Sequence, residues 1–133
     1  MPLTTIREGA WRVLAVTNDR GDCPLLSFLA ELEGPLAKDG TRMLALLERM
    51  SKHGPPRDTE VSHRLVDGLW QLSQGRMRLI WFFDRDRVLV MSHGFVKKGR
   101  TTPALELARG RRHRQQYFRE RALELASHRR AFR

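Results

Sequence analysis

The chain has 133 residues, 41% of them hydrophobic and 30% charged, with a formal net charge of +10. That length allows one domain with one core, and that balance excludes an intrinsically disordered chain. The lone Cys23 excludes an intramolecular disulfide framework. No apolar run approaches the roughly 18 residues of a membrane helix, and the N-terminus lacks a signal-peptide core, which points to the cytoplasm and away from any membrane partner.

The charge is concentrated. From Lys97 to Arg133 there are 12 Lys and Arg against 3 Asp and Glu, an excess of +9, whereas residues 1–96 hold 13 against 12. Such a tract is the footprint of a polyanion partner, with nucleic acid favoured. A basic tract docked on an acidic protein would leave the same signature.

Trp11 to Val16 reads as a short strand, bounded by the turn-like Asn18-Asp19-Arg20-Gly21-Asp22. Pro24 opens a helix in which Leu25, Leu26, Phe28, Leu29 and Leu32 recur at helical spacing, and Gly34-Pro35 ends it. A second helix from about Leu36 to His53 carries Met43, Leu46, Leu47 and Met50 on one face and stops at Gly54-Pro55-Pro56. The two are expected as an antiparallel pair on one side of a sheet. Residues 55–67 read as a loop, Leu69 to Ser73 as a strand, and Gln74-Gly75 as a turn.

The chain is organised around Arg76 to Pro103. Leu79 to Phe83 and Val88 to Met91 are apolar on both alternations, so both strands should be covered on two faces. Asp84-Arg85-Asp86-Arg87 between them reads as a hairpin turn. The second strand runs into His93-Gly94-Phe95-Val96-Lys97-Lys98, where oily sequence becomes cationic. Thr101-Thr102 offers an N-cap and Pro103 a first helical residue for a basic helix. Ala104, Leu107, Ala108, Phe118, Ala122 and Leu125 form its apolar side, which Arg109 to Arg114 interrupts. That basic run is expected to project into solvent or onto a ligand. The expected order is β-α-α-β-β-β followed by a helix.

The sequence has no Gly-rich phosphate loop, paired-histidine metal helix, nucleophile elbow or acidic metal cluster, so no metal or other cofactor is expected. What remains is a basic set suited to phosphoryl chemistry on RNA, where the substrate supplies its own 2′-hydroxyl nucleophile. Lys97 and Lys98 are candidates for phosphate binding and acid–base work, and Arg78 for stabilising transition-state charge. His93 is a lesser candidate for proton transfer. Arg76, Arg100, Arg109, Arg112 and Tyr117 are candidates for RNA contact. Plainer readings exist for several: a structural histidine at a strand end, lysines guarding a solvated edge, and Trp81, Phe82 and Phe83 as core rather than stacking platforms. Arg78 is harder to dismiss, because an arginine within an apolar strand needs an anion or an acidic partner.

The pattern of Phe82-Phe83, charged turn, apolar strand, His93-Gly94-Phe95-Val96-Lys97-Lys98 and Thr102-Pro103 resembles the HigB-like, often phage-associated branch of the RelE/ParE toxins. Asp22 to Leu29 is similar to the segment opening that family's first helix. The resemblance runs from about Trp11 to Phe118, leaving 119–133 as a basic helical extension of a single domain. It implies an α+β fold with two N-terminal helices on a curved antiparallel sheet. It also implies a type II toxin held by an antitoxin, commonly of helix-turn-helix type, that cuts mRNA on the ribosome without metal. The alternatives are a ParE-like inhibitor of DNA gyrase and a non-catalytic nucleic-acid-binding phage accessory protein. One departure matters: where that branch reads Leu-x-Glu-Leu-Arg, this chain has Leu69-Trp70-Gln71-Leu72-Ser73. Ser73 takes the place of an often functional arginine, which weakens or abolishes cleavage unless Arg76 or Arg78 replaces it.

Overall fold

The computed structural model describes residues 1–131, with side chains through Ser127. The expected central hairpin is present: β5 (Met77–Asp84) and β6 (Val88–Val96) are antiparallel neighbours at the centre of a six-stranded sheet. The full strand order is β1-β2-β6-β5-β4-β3, with β1 at Leu3–Glu8, β2 at Arg12–Val16, β3 at Ser62–Arg64 and β4 at Trp70–Gln74. The pairing differs from the antiparallel expectation at one place. β2 and β6 run parallel, Arg12 opposite Val88 and Ala15 opposite Met91, so the sheet is mixed. The helices between β2 and the later strands supply the long crossover that a parallel pair requires.

Both faces of the central strands are covered. Met77, Leu79 and Trp81 of β5 join Leu89 and Met91 of β6 against α1 (Pro24–Ala30) and α2 (Pro35–His53). Ile80, Phe82 and Val90 point the other way, toward Leu107, Tyr117 and Phe118 of α3 (Ala104–Ala131). Trp81 and Phe82 are wholly buried, so they fill the core on opposite faces. Full burial of an apolar side chain of this size contributes roughly 1.5–3 kcal/mol of transfer free energy, so these two layers dominate the fold. Gly54 closes α2 with φ 81, donating to the Met50 carbonyl, and a Cβ there would lie 2.7 Å from the Trp11 indole. Glycine is required on both counts.

Two strands were not anticipated. In β1 the only two apolar residues, Leu3 and Ile6, are three apart and pack on opposite faces, which leaves no readable apolar alternation, and the register slips between Thr5 and Arg7. β3 is three residues long and polar, and pairs antiparallel with β4 inside the stretch expected to be loop.

The C-terminal helix also departs from expectation. α3 is continuous from Ala104 through the basic run, which docks on the protein instead of projecting from it. Arg111 Nε pairs with Asp67 Oδ2 at 2.6 Å, and Arg114 stacks over the Phe118 ring at 5.0 Å. Gly110 is buried, and a Cβ there would lie 2.9 Å from Ile80. Residue 119 marks no boundary, because Arg121 bonds Asp84 at 2.8 Å and Glu120 pairs with the N-terminal amine. Phe132 and Arg133, the end of the expected extension, lie outside the described residues. Pro103 precedes the helix, its carbonyl accepting from Glu106 and Leu107, while the Thr102 hydroxyl turns away to Gln71. Among the described residues no helix is long and apolar enough to cross a membrane.

Candidate nucleic-acid interface

A bulge builds the site. Ile80 pairs with His93 and Trp81 with Met91, which leaves Ser92 as the extra residue of β6. Before it, Leu89 and Met91 face α1 and α2; after it, Gly94 and Val96 do. The inserted residue reverses the alternation, which turns Phe95 toward the face that carries α3. Lys97 follows in the same sense, its backbone N–H extending the ladder to the Arg76 carbonyl at 2.7 Å.

On that face, beside the start of α3, lies a cleft of about 330 Å³. Four of its lining residues are cations: Arg78 from β5, and Lys97, Lys98 and Arg100 from the connection between β6 and α3. Lys97, Lys98 and Arg100 are exposed. Arg78 is half-buried and held in place, its Nη1 donating to the carbonyls of Gly75 (2.7 Å) and Met77 (2.8 Å). Burial lowers its pKa from the ordinary arginine value, opposed by the carboxylate of Asp39. Ser73 lies directly across from it on β4 and lines the same cleft.

The opposite wall holds residues that sequence reasoning missed. His63 of β3 and Glu60 just before it both line the cleft. Across the β3–β4 pair, Gln71 stands opposite His63, with its amide nitrogen 3.4 Å from the imidazole Nε2. Gln71 Oε1 accepts from the Thr102 hydroxyl at 2.8 Å. A signal for this wall existed: Asp67-Gly68 before Leu69 is a hairpin dipeptide, and both residues have positive φ (57° and 78°). Folding the sequence back on that turn brings His63 opposite Gln71.

Other candidates fall elsewhere. His93 is not among the lining residues and is 3% exposed beneath α3. Its Nδ1 lies 2.8 Å from the Ser92 hydroxyl, which also contacts His113 Nδ1 at 2.5 Å. Burial, then the charges of Arg109, His113 and Arg112, pushes the His93 pKa down to about 3. His113 falls to about 4 for the same leading reason. These histidines are therefore neutral parts of the sheet–helix joint, and Arg109 is their neighbour rather than part of the cleft. Arg112 sits farther along α3 beside Gln116 and Arg119. Tyr117 lies at the far end of β5, packed edge-on to Phe82 and donating to Asp84. Burial and that bond raise its hydroxyl pKa above the ordinary value. The Arg76 side chain is exposed on the β4–β5 turn, with its backbone N–H bonded to Asp39. Among the described residues no group of three or more His, Cys, Asp or Glu is placed to hold a metal ion.

The chain matches the family model described as phage derived protein Gp49-like (DUF891) over residues 30–115, which covers most of the chain and the whole cleft. The protein belongs to that family. No curated protein matches it.

Proposed function

We propose that the protein is a toxin of a type II toxin–antitoxin pair, with a RelE-like domain whose cleft cleaves RNA. The observation that carries this reading is the convergence of Arg78, Lys97, Lys98 and Arg100 on one concave site. A phosphodiester seated there has charge on several sides, and the charge that develops on its non-bridging oxygens during attack is met by fixed cations. Arg78 is the preorganised one, since two backbone carbonyls hold its guanidinium. Lys97 and Lys98 bind phosphate, and an ammonium from this pair protonates the leaving 5′-oxygen. The substrate is mRNA, engaged in the cytoplasm and in association with the ribosome, and an antitoxin of helix-turn-helix type covers the basic surface.

Incubation of the purified protein with an end-labelled single-stranded RNA tests the reading. The expected products are a 2′,3′-cyclic phosphate, or its 3′-phosphate, and a 5′-hydroxyl, with cleavage persisting in EDTA because no metal-ligand cluster is present among the described residues. Intact RNA together with gyrase trapped on DNA would replace this reading with the gyrase one.

A further inference from the structure

The cationic cleft contains a ring that phosphate binding alone does not call for. Among the described residues that line it, Phe95 supplies the only phenyl, phenol or indole side chain. We infer that Phe95 is a stacking platform for one unpaired nucleobase, set beside the cations that hold the phosphates of the same strand. This rests on the reading of the cleft as an RNA site.

The Ser92 bulge turns Phe95 away from α1 and α2 and onto the face that carries the cleft. There Phe95 stands directly opposite Arg78, and Arg78 opposite Ser73, so the three form one row across β6, β5 and β4. All three line the cleft. Directly opposed residues have Cβ atoms about 5 Å apart. Lys97 follows on the same face two residues along, roughly 7 Å away at strand spacing. The ring is therefore flanked by one cation across the sheet and another along the chain. A nucleotide presents the matching pattern, a flat base one sugar away from its phosphates.

The ring is also held in advance. It is partly buried and packs on the core layer of Ile80 and Val90. The buried imidazole of His93 lies 6.1 Å from it, inclined by 33°. A side chain already fixed from the core side loses little freedom when a base settles on it. Glu60 is the one acid among the described lining residues. Its charge repels phosphate, which leaves the strand's phosphates to the side of Phe95, Arg78 and Lys97. A base inside a duplex has both faces covered by its neighbours, so the occupant is single-stranded. Every base has a π-face, so the platform accepts any of the four. The cleft volume of about 330 Å³ lies at the lower end of the range for small-ligand sites, which suits one nucleotide.

Equilibrium binding by the full chain tests this, using 2′-O-methyl oligonucleotides, whose blocked 2′-oxygen keeps them intact whatever the cleft does to RNA. One strand carries bases throughout, and a second of equal length and charge is abasic. Wild type should prefer the base-bearing strand by about tenfold or more. Phe95→Leu removes the π-face and keeps apolar bulk, so it should lose about tenfold on that strand and nothing on the abasic one. Phe95→Tyr, which keeps the ring, should retain the preference. Lys97→Ala/Lys98→Ala should weaken both strands alike, because its effect is on phosphate. Equal wild-type affinity for the two strands would overturn the inference without calling on any variant. So would wild-type binding of the base-bearing strand by Phe95→Leu, or an equal loss on both strands, which is what a disturbed fold produces and lost stacking does not. Wild-type protein that binds neither strand would overturn the RNA reading of the cleft, and the inference with it.

Discussion

Ser73 and Arg78 are directly opposed on β4 and β5, and both face the cleft. A residue pair of this kind has its Cβ atoms about 5 Å apart, so a side chain placed at position 73 lies beside that of Arg78. Ser73→Arg should place two guanidiniums side by side. Like charges directly opposed destabilise a sheet by roughly 0.2–1 kcal/mol, and RNA binding should gain in return. Thermal unfolding and RNA titration of the variant check both halves. A variant with unchanged RNA affinity would remove Ser73 from the binding surface.

RNA binding should depend on salt through the exposed lysines. Each phosphate contact contributes a slope of roughly 0.7 in log affinity against log salt for a single strand. Lys97→Ala/Lys98→Ala should lower the slope by about 1.4 on that scale. Truncation after Ser127, which spares the Arg121–Asp84 pair, should flatten it further. An unchanged slope after truncation would assign the terminal arginines to a protein partner.

The docking of α3 has a steric test. A Cβ at Gly110 would meet Ile80 at 2.9 Å and Leu69 at 3.2 Å. Gly110→Val should therefore lift the helix from the sheet, with an overpacking cost of about 1–3 kcal/mol. Denaturant unfolding measures it. No loss of stability would mean that α3 does not sit this closely in solution.

Acid should loosen the same joint. His93 and His113 titrate in the fold at about 3 and about 4, below the unfolded histidine value of 6.5, so the unfolded chain binds more protons between these values. Their contribution is fully present above about pH 6.5, falls as pH drops below it, and levels off near pH 3. The steepest loss from His93 is about 1.4 kcal/mol per pH unit. Unfolding free energy measured from pH 7 to pH 4 should decline, and less steeply in His113→Gln. A flat profile would contradict the buried neutral pair.

The hairpin was legible because Leu79 to Phe83 and Val88 to Met91 are apolar on both alternations, and a sheet covered by helices on both faces demands that. The cations were legible from charge density around Lys97, and Arg78 from its place in an apolar strand. β1 was hidden because its two apolar residues, Leu3 and Ile6, are an odd number of positions apart and so face opposite sides of the sheet. His63 was hidden because β3 carries no hydrophobic period, and only the Asp67-Gly68 turn betrays its pairing. His93 was misplaced for a physical reason. The extra residue Ser92 tucks both itself and His93 under α3, and no composition signal marks a bulge. The charge of the basic run of α3 suggests solvent, yet Arg111 pairs with Asp67, Arg114 lies over Phe118 and His113 meets Ser92 of β6.

The central claim is that the cationic cleft does chemistry on RNA rather than holding it. Single-turnover cleavage and equilibrium binding of one RNA, measured side by side for wild type and Lys97→Ala/Lys98→Ala, separate the two. The expected rate is about a hundred- to ten-thousandfold lower in the variant, with a much smaller loss of affinity, because the charge acts chiefly in the transition state. A variant that binds weakly but cleaves bound RNA at the wild-type rate would contradict it.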